Sequence, residues 1–257
     1  MRAPRLLVHA AMLGAMLTPL LAEAGGLADV EVYDRTSGRT LPVHEHEGRL
    51  YVAGEPRHQY ELRIRNSSGA RVLAVTSVDG VNVISGKTAA ENQGGYVIGA
   101  WSSVEIEGWR KSLDEVATFY FTRLSDSYAA RTGRPHNVGV IGVALFREQR
   151  PCCEDHLTEQ RADAARGAAA PSAREQEADD SVARRKEESK LGTGHGHGEP
   201  SPAQYVDFRR ASPTPDEMIT IYYDSRRNLA AQGVLPRPDR LADRRPDPFP
   251  NGFVPDP

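Results

Sequence analysis

Cysteines, an excess of one charge and long apolar runs are all scarce in this sequence. Only two cysteines are present, side by side, and neighbouring cysteines pair with each other only through a strained ring. Disulfides therefore do not hold this fold together. Acidic and basic residues nearly balance at 35 and 32, which excludes the long-range positive field on which nucleic-acid binding depends. Beyond residue 24, no run is apolar enough to span a bilayer.

The first residues have the pattern of an export signal. Arg2 and Arg5 supply the positive start, residues 6–21 form the apolar centre, and residues 22–24 (AEA) match a small-x-small cleavage site. An uncleaved N-terminal anchor is the alternative, but Gly and Pro interrupt the apolar centre. We therefore predict a signal peptide over residues 1–24 and a periplasmic or secreted protein with no transmembrane segment after cleavage.

Short runs of alternating apolar and polar residues, separated by turn residues, fill residues 25–150. The clearest lies at residues 71–84 (RVLAVTSVDGVNVI), where two β-branched runs flank Asp79 and Gly80. This pair favours the positive backbone angles of a two-residue type I′ hairpin turn, so Asp79 needs no catalytic role. The most apolar runs, VATFYF and VGVIGVALF, predict central strands. With no convincing long helix, the pattern predicts a mainly β fold, an antiparallel β-sandwich.

The composition changes abruptly at Pro151. Residues 154–190 contain no Phe, Tyr or Trp and few branched aliphatic residues, so they cannot bury enough apolar surface to offset their chain entropy. We predict a disordered or partly helical linker over residues 151–190. At its start, Cys152 and Cys153 could form a disulfide-linked dimer, a vicinal redox pair or two free thiols.

Ordered structure is predicted again from residue 191. The segment LGTGHGHGE has the composition of a Gly/His loop, and short strands are predicted at residues 205–208 and 218–223. A short helix follows, capped by the next Asp-Ser pair and stopped by a glycine. Because this is too little to form its own core, we predict that residues 191–234 dock on the sandwich. The Pro-rich tail over residues 235–257 shows no periodicity.

Two connections at one end of the predicted sandwich carry candidate binding residues. Trp109 and Arg110 follow a strand end, and an aromatic ring beside a cation suits an acidic or sugar ligand through stacking and charge-assisted hydrogen bonds. Tyr128 and Arg131 lie in a similar polar connection. The alternative is structural, because Trp109 would then plug the end of the sandwich and Tyr128 would tie down the crossover.

Two histidine clusters have the ligand types that zinc and copper favour. His195 and His197 lie close to Glu199, and residues two apart in an extended segment project to the same side. His44 and His46 form a second cluster at the tip between two predicted strands. Zinc or copper binding at His195, His197 and Glu199 is therefore one hypothesis, and a solvated polar loop is the alternative.

Several blocks of the sequence resemble a family of uncharacterised exported bacterial proteins: VTSVDGVNVI, GWRKS, SYAARTGRP, NVGVIGVALFRE and LGTGHG, in this order. The resemblance implies that the C-terminal segment belongs with the sandwich, and it implies no established activity or cofactor. No G-x-S-x-G motif or phosphate-binding loop is present, which favours a protein that is not an enzyme. We therefore expect a protein that binds an envelope protein or a surface polymer, with a metal-binding protein as the alternative.

Overall fold

A computed structural model of the chain describes residues 26–149 and 190–236. These residues form a mainly β fold of two seven-stranded sheets, which confirms the predicted β-sandwich. The predicted signal peptide, the two cysteines, the linker before Lys190 and the tail beyond Pro236 lie outside the described residues.

Fourteen strands and two short helices make up the described part of the chain. The strands are β1 (Ala28–Asp34), β2 (Arg39–Thr40), β3 (Val43–His46), β4 (Arg49–Gly54), β5 (Gln59–Asn66), β6 (Val72–Val78), β7 (Val81–Asn82), β8 (Tyr96–Ile98), β9 (Ser103–Ile106), β10 (Gly108–Arg110), β11 (Glu115–Arg123), β12 (Val140–Arg147), β13 (Leu191–Pro200) and β14 (Glu217–Ser225). The helices are α1 (Tyr128–Arg131) and α2 (Arg226–Ala231), and 3-10 turns lie at Leu124–Asp126 and Pro135–Asn137.

The first sheet is built around β5 and β11. β5 pairs with β1, which pairs with β2, while its other side pairs first with β11 and then with β9. β11 also pairs with β10 and, along its whole length, with β13. The second sheet has the order β3-β4-β14-β12-β6, and both β7 and β8 pair with β6. Its strands are antiparallel except for the parallel pair β4 and β14.

The turn between β6 and β7 confirms the predicted hairpin. Asp79 and Gly80 have φ angles of 54° and 71°, so both central residues adopt the left-handed conformation that a type I′ turn requires. Val78 and Val81 pair across the turn and are both buried. The hairpin therefore directs the Asp79 side chain into the protein, where it is fully buried.

Aromatic side chains from both sheets fill the core. Tyr60 stacks on Phe119 and Phe121 with ring centroids 5.3 and 4.3 Å away, and Tyr223 of the second sheet lies 5.5 Å from Phe121. All four are almost completely shielded from solvent. Burial of each such ring stabilises the fold by about 1.5–3 kcal/mol, so this cluster is a major contact between the sheets.

The prediction of a Gly/His loop at the start of the C-terminal segment is wrong. Residues 191–200 form β13 at the edge of the first sheet, and β14 lies inside the second sheet between β4 and β12. Glycines at alternate positions of β13 leave room for side chains of β11, since a Cβ on Gly194 would lie 2.1 Å from the Tyr120 ring. The C-terminal segment thus completes both sheets, which is a closer integration than docking on a finished sandwich.

Two further predictions for this segment have different outcomes. The strand predicted at residues 205–208 is not formed, because this stretch crosses over the second sheet without pairing to a strand. The short helix is confirmed as α2, with the Ser225 side chain accepting a hydrogen bond from the Asn228 backbone and Gly233 adopting a φ of 83°. None of the helices in the described ranges is long and apolar enough to cross a membrane.

Adjacent glycines before β8 offer a test of the packing between β8 and β6. A Cβ on Gly95 would lie 2.3 Å from the carbonyl oxygen of Ala74, while a Cβ on Gly94 would meet nothing within 4 Å. We therefore expect Gly95→Ala to lower the free energy of unfolding by about 1–3 kcal/mol, and Gly94→Ala to change it far less. Chemical denaturation measures both values, and equal effects would contradict this close approach.

Candidate functional site

A groove with a volume of about 810 Å³ lies where the edges of the two sheets meet. One wall is formed by β8 and β9, which pair with β6 and β5 respectively, and the other by the crossover segment at residues 201–210. Its lining is largely apolar and aromatic, and includes Tyr96, Val97, Val104, Leu113, Tyr205 and Val206. The Tyr205 side chain is 89% exposed, so an aromatic ring stands open at the groove.

Arg110 joins the two walls of this groove. Its Nε and Nη2 donate to the Tyr96 hydroxyl at 3.1 and 3.0 Å, and its Nη1 and Nη2 donate to the backbone and side chain of Ser201. No carboxylate among the described residues forms an ion pair with Arg110, and its three guanidinium nitrogens already donate to oxygens of the protein.

A second arginine fixes the crossover segment on the sheet. Arg210 donates to the carbonyl oxygens of Glu91 and Gln93 at 2.9 and 2.6 Å, and its guanidinium lies 4.0 Å from the centre of the Phe146 ring. Burial lowers the pKa of this guanidinium. Phe208 packs on the same apolar cluster as Phe146. The groove is therefore preformed, with a rigid wall on each side.

The structure places the four predicted binding residues differently from one another. Trp109 is buried at 3% exposure, with its ring 4.8 Å from both Phe119 and Tyr128, so its predicted role as a loop ligand is wrong and the structural alternative holds. β10 extends through this stretch, and alternation along the strand turns Trp109 inward and Arg110 outward. Tyr128 is half-buried and Arg131 exposed on α1, and neither lines the groove.

The predicted metal residues lie on β13, but the pairing of β13 with β11 shifts register between His195 and Gly198, and the three side chains have different partners. His197 Nε2 is 2.9 Å from one oxygen of Glu199, and the other oxygen is 2.8 Å from the Arg35 guanidinium. His195 instead packs against the Trp109 ring at 6.2 Å. Among the described residues, no group of three or more His, Cys, Asp or Glu side chains could hold a metal ion. Zinc or copper binding stays a prediction, which elemental analysis of untagged protein checks.

His44 and His46 lie within β3 rather than at the tip between strands. The turn itself is formed by Glu47 and Gly48, whose φ angles are 50° and 71°. β3 is an edge strand of the second sheet, whereas β13 is an edge strand of the first.

A buried hydrogen-bond network around Asp79 was not foreseen from the sequence. One carboxylate oxygen accepts from the Gly139 backbone at 2.9 Å and from the Tyr223 hydroxyl at 2.5 Å, and the other accepts from the Thr193 backbone at 2.8 Å. The Thr193 hydroxyl lies 2.6 Å from the hydroxyls of both Tyr60 and Tyr223. Because Tyr60 and Thr193 belong to one sheet and Asp79 and Tyr223 to the other, this network connects the sheets.

Burial raises the pKa of Asp79 to about 6, although its hydrogen bonds favour the ionised form. Burial and the nearby Asp79 charge also raise the pKa values of Tyr60 and Tyr223 well above that of a free tyrosine. All three side chains are essentially without solvent contact, and none lines the groove beside Arg110. The arrangement therefore suits a structural role in joining the sheets better than contact with a ligand.

Replacement of Trp109 tests whether it belongs to the core. We expect Trp109→Ala to lower the free energy of unfolding by about 3–5 kcal/mol because it leaves a cavity beside Phe119. Arg131→Ala, at an exposed position of α1, should change it by less than about 0.5 kcal/mol. Thermal and chemical denaturation provide the measurement, and an unchanged stability of the Trp109 variant would show that this ring is not part of the core.

Asp79 should make stability depend on pH in a defined window. Its pKa is about 6 in the folded protein and 3.8 for an aspartate in the unfolded chain, so between these pH values the folded protein retains a proton that the unfolded chain has released. The free energy of unfolding should therefore fall as the pH rises from 4 to 6, by at most about 3 kcal/mol from this group.

Asp79→Asn isolates this effect because asparagine also tolerates the left-handed backbone of the turn. The variant should be less stable, because its amide NH2 group would face backbone N–H or hydroxyl groups that donate hydrogen bonds to the Asp79 carboxylate. Its stability should also lack the fall between pH 4 and 6 that the wild-type protein shows. Denaturation curves for both proteins across this range decide the matter, and parallel pH profiles would contradict a titration of Asp79.

Comparisons with known proteins provide no further identification. No family model, no curated protein and no solved structure matches the chain. The resemblance to exported bacterial proteins therefore stays a prediction, and the functional argument depends on the geometry of the groove.

Proposed function

We propose that this is an exported, non-enzymatic β-sandwich protein that binds a segment of an envelope protein or a surface polymer in the groove beside Arg110. The observation that carries the proposal is the preformed groove itself, which combines an open aromatic ring at Tyr205 with the Arg110 guanidinium, for which the described residues provide no ion pair. Such a combination of apolar contact area and a few directed polar groups is typical of binding sites.

The shape of the groove favours a ligand that is long and narrow. β8 and β9 each pair on one side only within the described residues, so backbone groups at these edges are open to an added strand. Leu113 and Val206, which both line the groove, are 39% and 48% exposed and add open apolar surface to it. An extended polypeptide would gain backbone hydrogen bonds from the edges and apolar contacts from the wall.

Binding, rather than catalysis, is supported by the chemistry of the lining. The groove is bordered by Glu105 and by Arg110 and Arg210, and both arginines already hold the walls together. The carboxyl with a strongly raised pKa, Asp79, lies in the core and away from this lining. The polar groups at the groove are therefore suited to orienting a ligand.

Site-specific photo-crosslinking in the exporting cell tests this proposal. A photoreactive phenylalanine derivative at Tyr205 should form defined crosslinks to an envelope component, because the groove brings the ligand within reach. The same residue at Val43, which is 45% exposed on the edge strand β3, serves as the control and should form few. Arg110→Gln combined with the probe at Tyr205 should reduce the crosslinks severalfold. Equal crosslinking at the two positions, or none at Tyr205, would contradict binding in the groove.

A further inference from the structure

Trp101 combines exposure with an unfavourable backbone conformation. Its side chain is 67% exposed, and its φ is 57°, a left-handed conformation that costs residues other than glycine roughly 1–2 kcal/mol. Glycine or asparagine would form the same turn with less strain. Strained residues that are also exposed are candidates for function, because packing alone does not explain their presence.

The loop that carries Trp101 is held rigidly. The buried Asn66 side chain donates to the carbonyl oxygens of Ala70, Ile98 and Gly99 at 2.8, 3.3 and 2.7 Å. The Trp101 backbone N–H donates to the Ser68 carbonyl at 3.2 Å, within the loop that follows Asn66. The indole lies beside Gly69, where an added Cβ would be 3.8 Å from the ring. The ring is therefore positioned before any ligand arrives, which lowers the entropic cost of binding.

A polar pocket of about 360 Å³ lies next to this loop on the outer face of the first sheet. Its lining is arranged as two rows across β1, β5 and β9, in which paired residues share a row: Asp29, Arg65 and Ser103, then Glu31, Arg63 and Glu105. All six of the described residues that line it are polar or charged. The pocket therefore offers hydrogen-bond donors and acceptors in alternation.

Two observations place the Trp101 loop beside this pocket. Ser103 is two residues further along the chain, so the two Cα atoms are at most about 7.6 Å apart. The loop beneath the indole is also tied to the pocket, because the Ser67 hydroxyl donates to the Asp29 carboxylate at 2.8 Å. Arg65 lines the pocket and pairs with Ser103, and within the described ranges its guanidinium makes no ion pair. An aromatic platform and a polar pocket are thus close neighbours.

We propose that Trp101 and this pocket form a binding site for a neutral carbohydrate chain. A pyranose ring has an apolar C–H face, which suits the exposed indole, and a rim of hydroxyls that donate and accept, which suits alternating carboxylates and guanidiniums. A protein hot spot would surround the indole with apolar residues, and an anionic membrane would need an excess of basic ones. Three carboxylates and two guanidiniums line this pocket instead. Of the residues that line this pocket, only Glu105 also lines the groove beside Arg110, and the proposal does not depend on binding in that groove.

The two tryptophans of the chain make the site directly observable. Trp101 is exposed and Trp109 is buried, so the emission of Trp101 should respond to ligand while that of Trp109 stays constant. Soluble oligosaccharides of glucose, mannose, galactose and N-acetylglucosamine are the probes. At least one should shift the emission to shorter wavelength and protect it from iodide quenching. If none of these sugars binds, or if anionic phospholipid vesicles give the same change, the proposal is overturned.

Variants separate a binding role from a structural one. Trp101→Asn should weaken binding of the active oligosaccharide about tenfold or more by calorimetry, with no fall in the unfolding midpoint, because asparagine accepts the left-handed backbone. Arg65→Gln should weaken it severalfold. Tyr205→Asn, which removes the exposed ring of the groove, should leave it unchanged. Undiminished binding by Trp101→Asn, or a lowered midpoint for that variant, would overturn the proposal.

Discussion

The two sheets of this sandwich are joined by hydrogen bonds to the buried carboxylate of Asp79. It has no contact with solvent, and its three accepted hydrogen bonds come from the backbone of Gly139, the backbone of Thr193 and the hydroxyl of Tyr223. A buried carboxylate is costly unless it is fully hydrogen-bonded. All three donors must therefore be positioned at the same time, and two of them belong to strands that follow residue 190.

This requirement explains why the C-terminal segment is an integral part of the fold. β13 brings Thr193 to Asp79 and β14 brings Tyr223, so each sheet gains one strand and the network gains its donors in the same step. The alternating glycines of β13 allow its backbone to lie under the Tyr120 ring and beside Thr118. The glycines of the Gly/His pattern thus allow β13 to pack closely on β11, and the histidines lie at the alternate positions between them.

The location of the groove follows from a break in the first sheet. β9 pairs with β5 and β10 pairs with β11, while Gly108 at the change of partner lies so close to Ala117 that a Cβ would be 2.0 Å from its carbonyl oxygen. Among the described strands, none pairs with the other edge of β9, which lies beside the edge of β8. The crossover segment does not pair with these edges, so it forms the opposite wall and leaves the groove open.

The sequence by itself determined the class of fold, the hairpin at Asp79 and Gly80 and the short helix that stops before Gly233, because these depend on local backbone preference and on alternation. The sequence suggested both Trp109 and Arg110 as binding residues. The structure shows that they are neighbours on a strand, and alternation along that strand turns Trp109 into the core and Arg110 toward the groove. Only the tertiary structure decided that Asp79 points inward and meets Thr193 and Tyr223, since contacts between residues more than a hundred positions apart leave no local pattern. The strain at Trp101 was equally invisible, because it arises from the loop that Asn66 holds and not from the residues next to it.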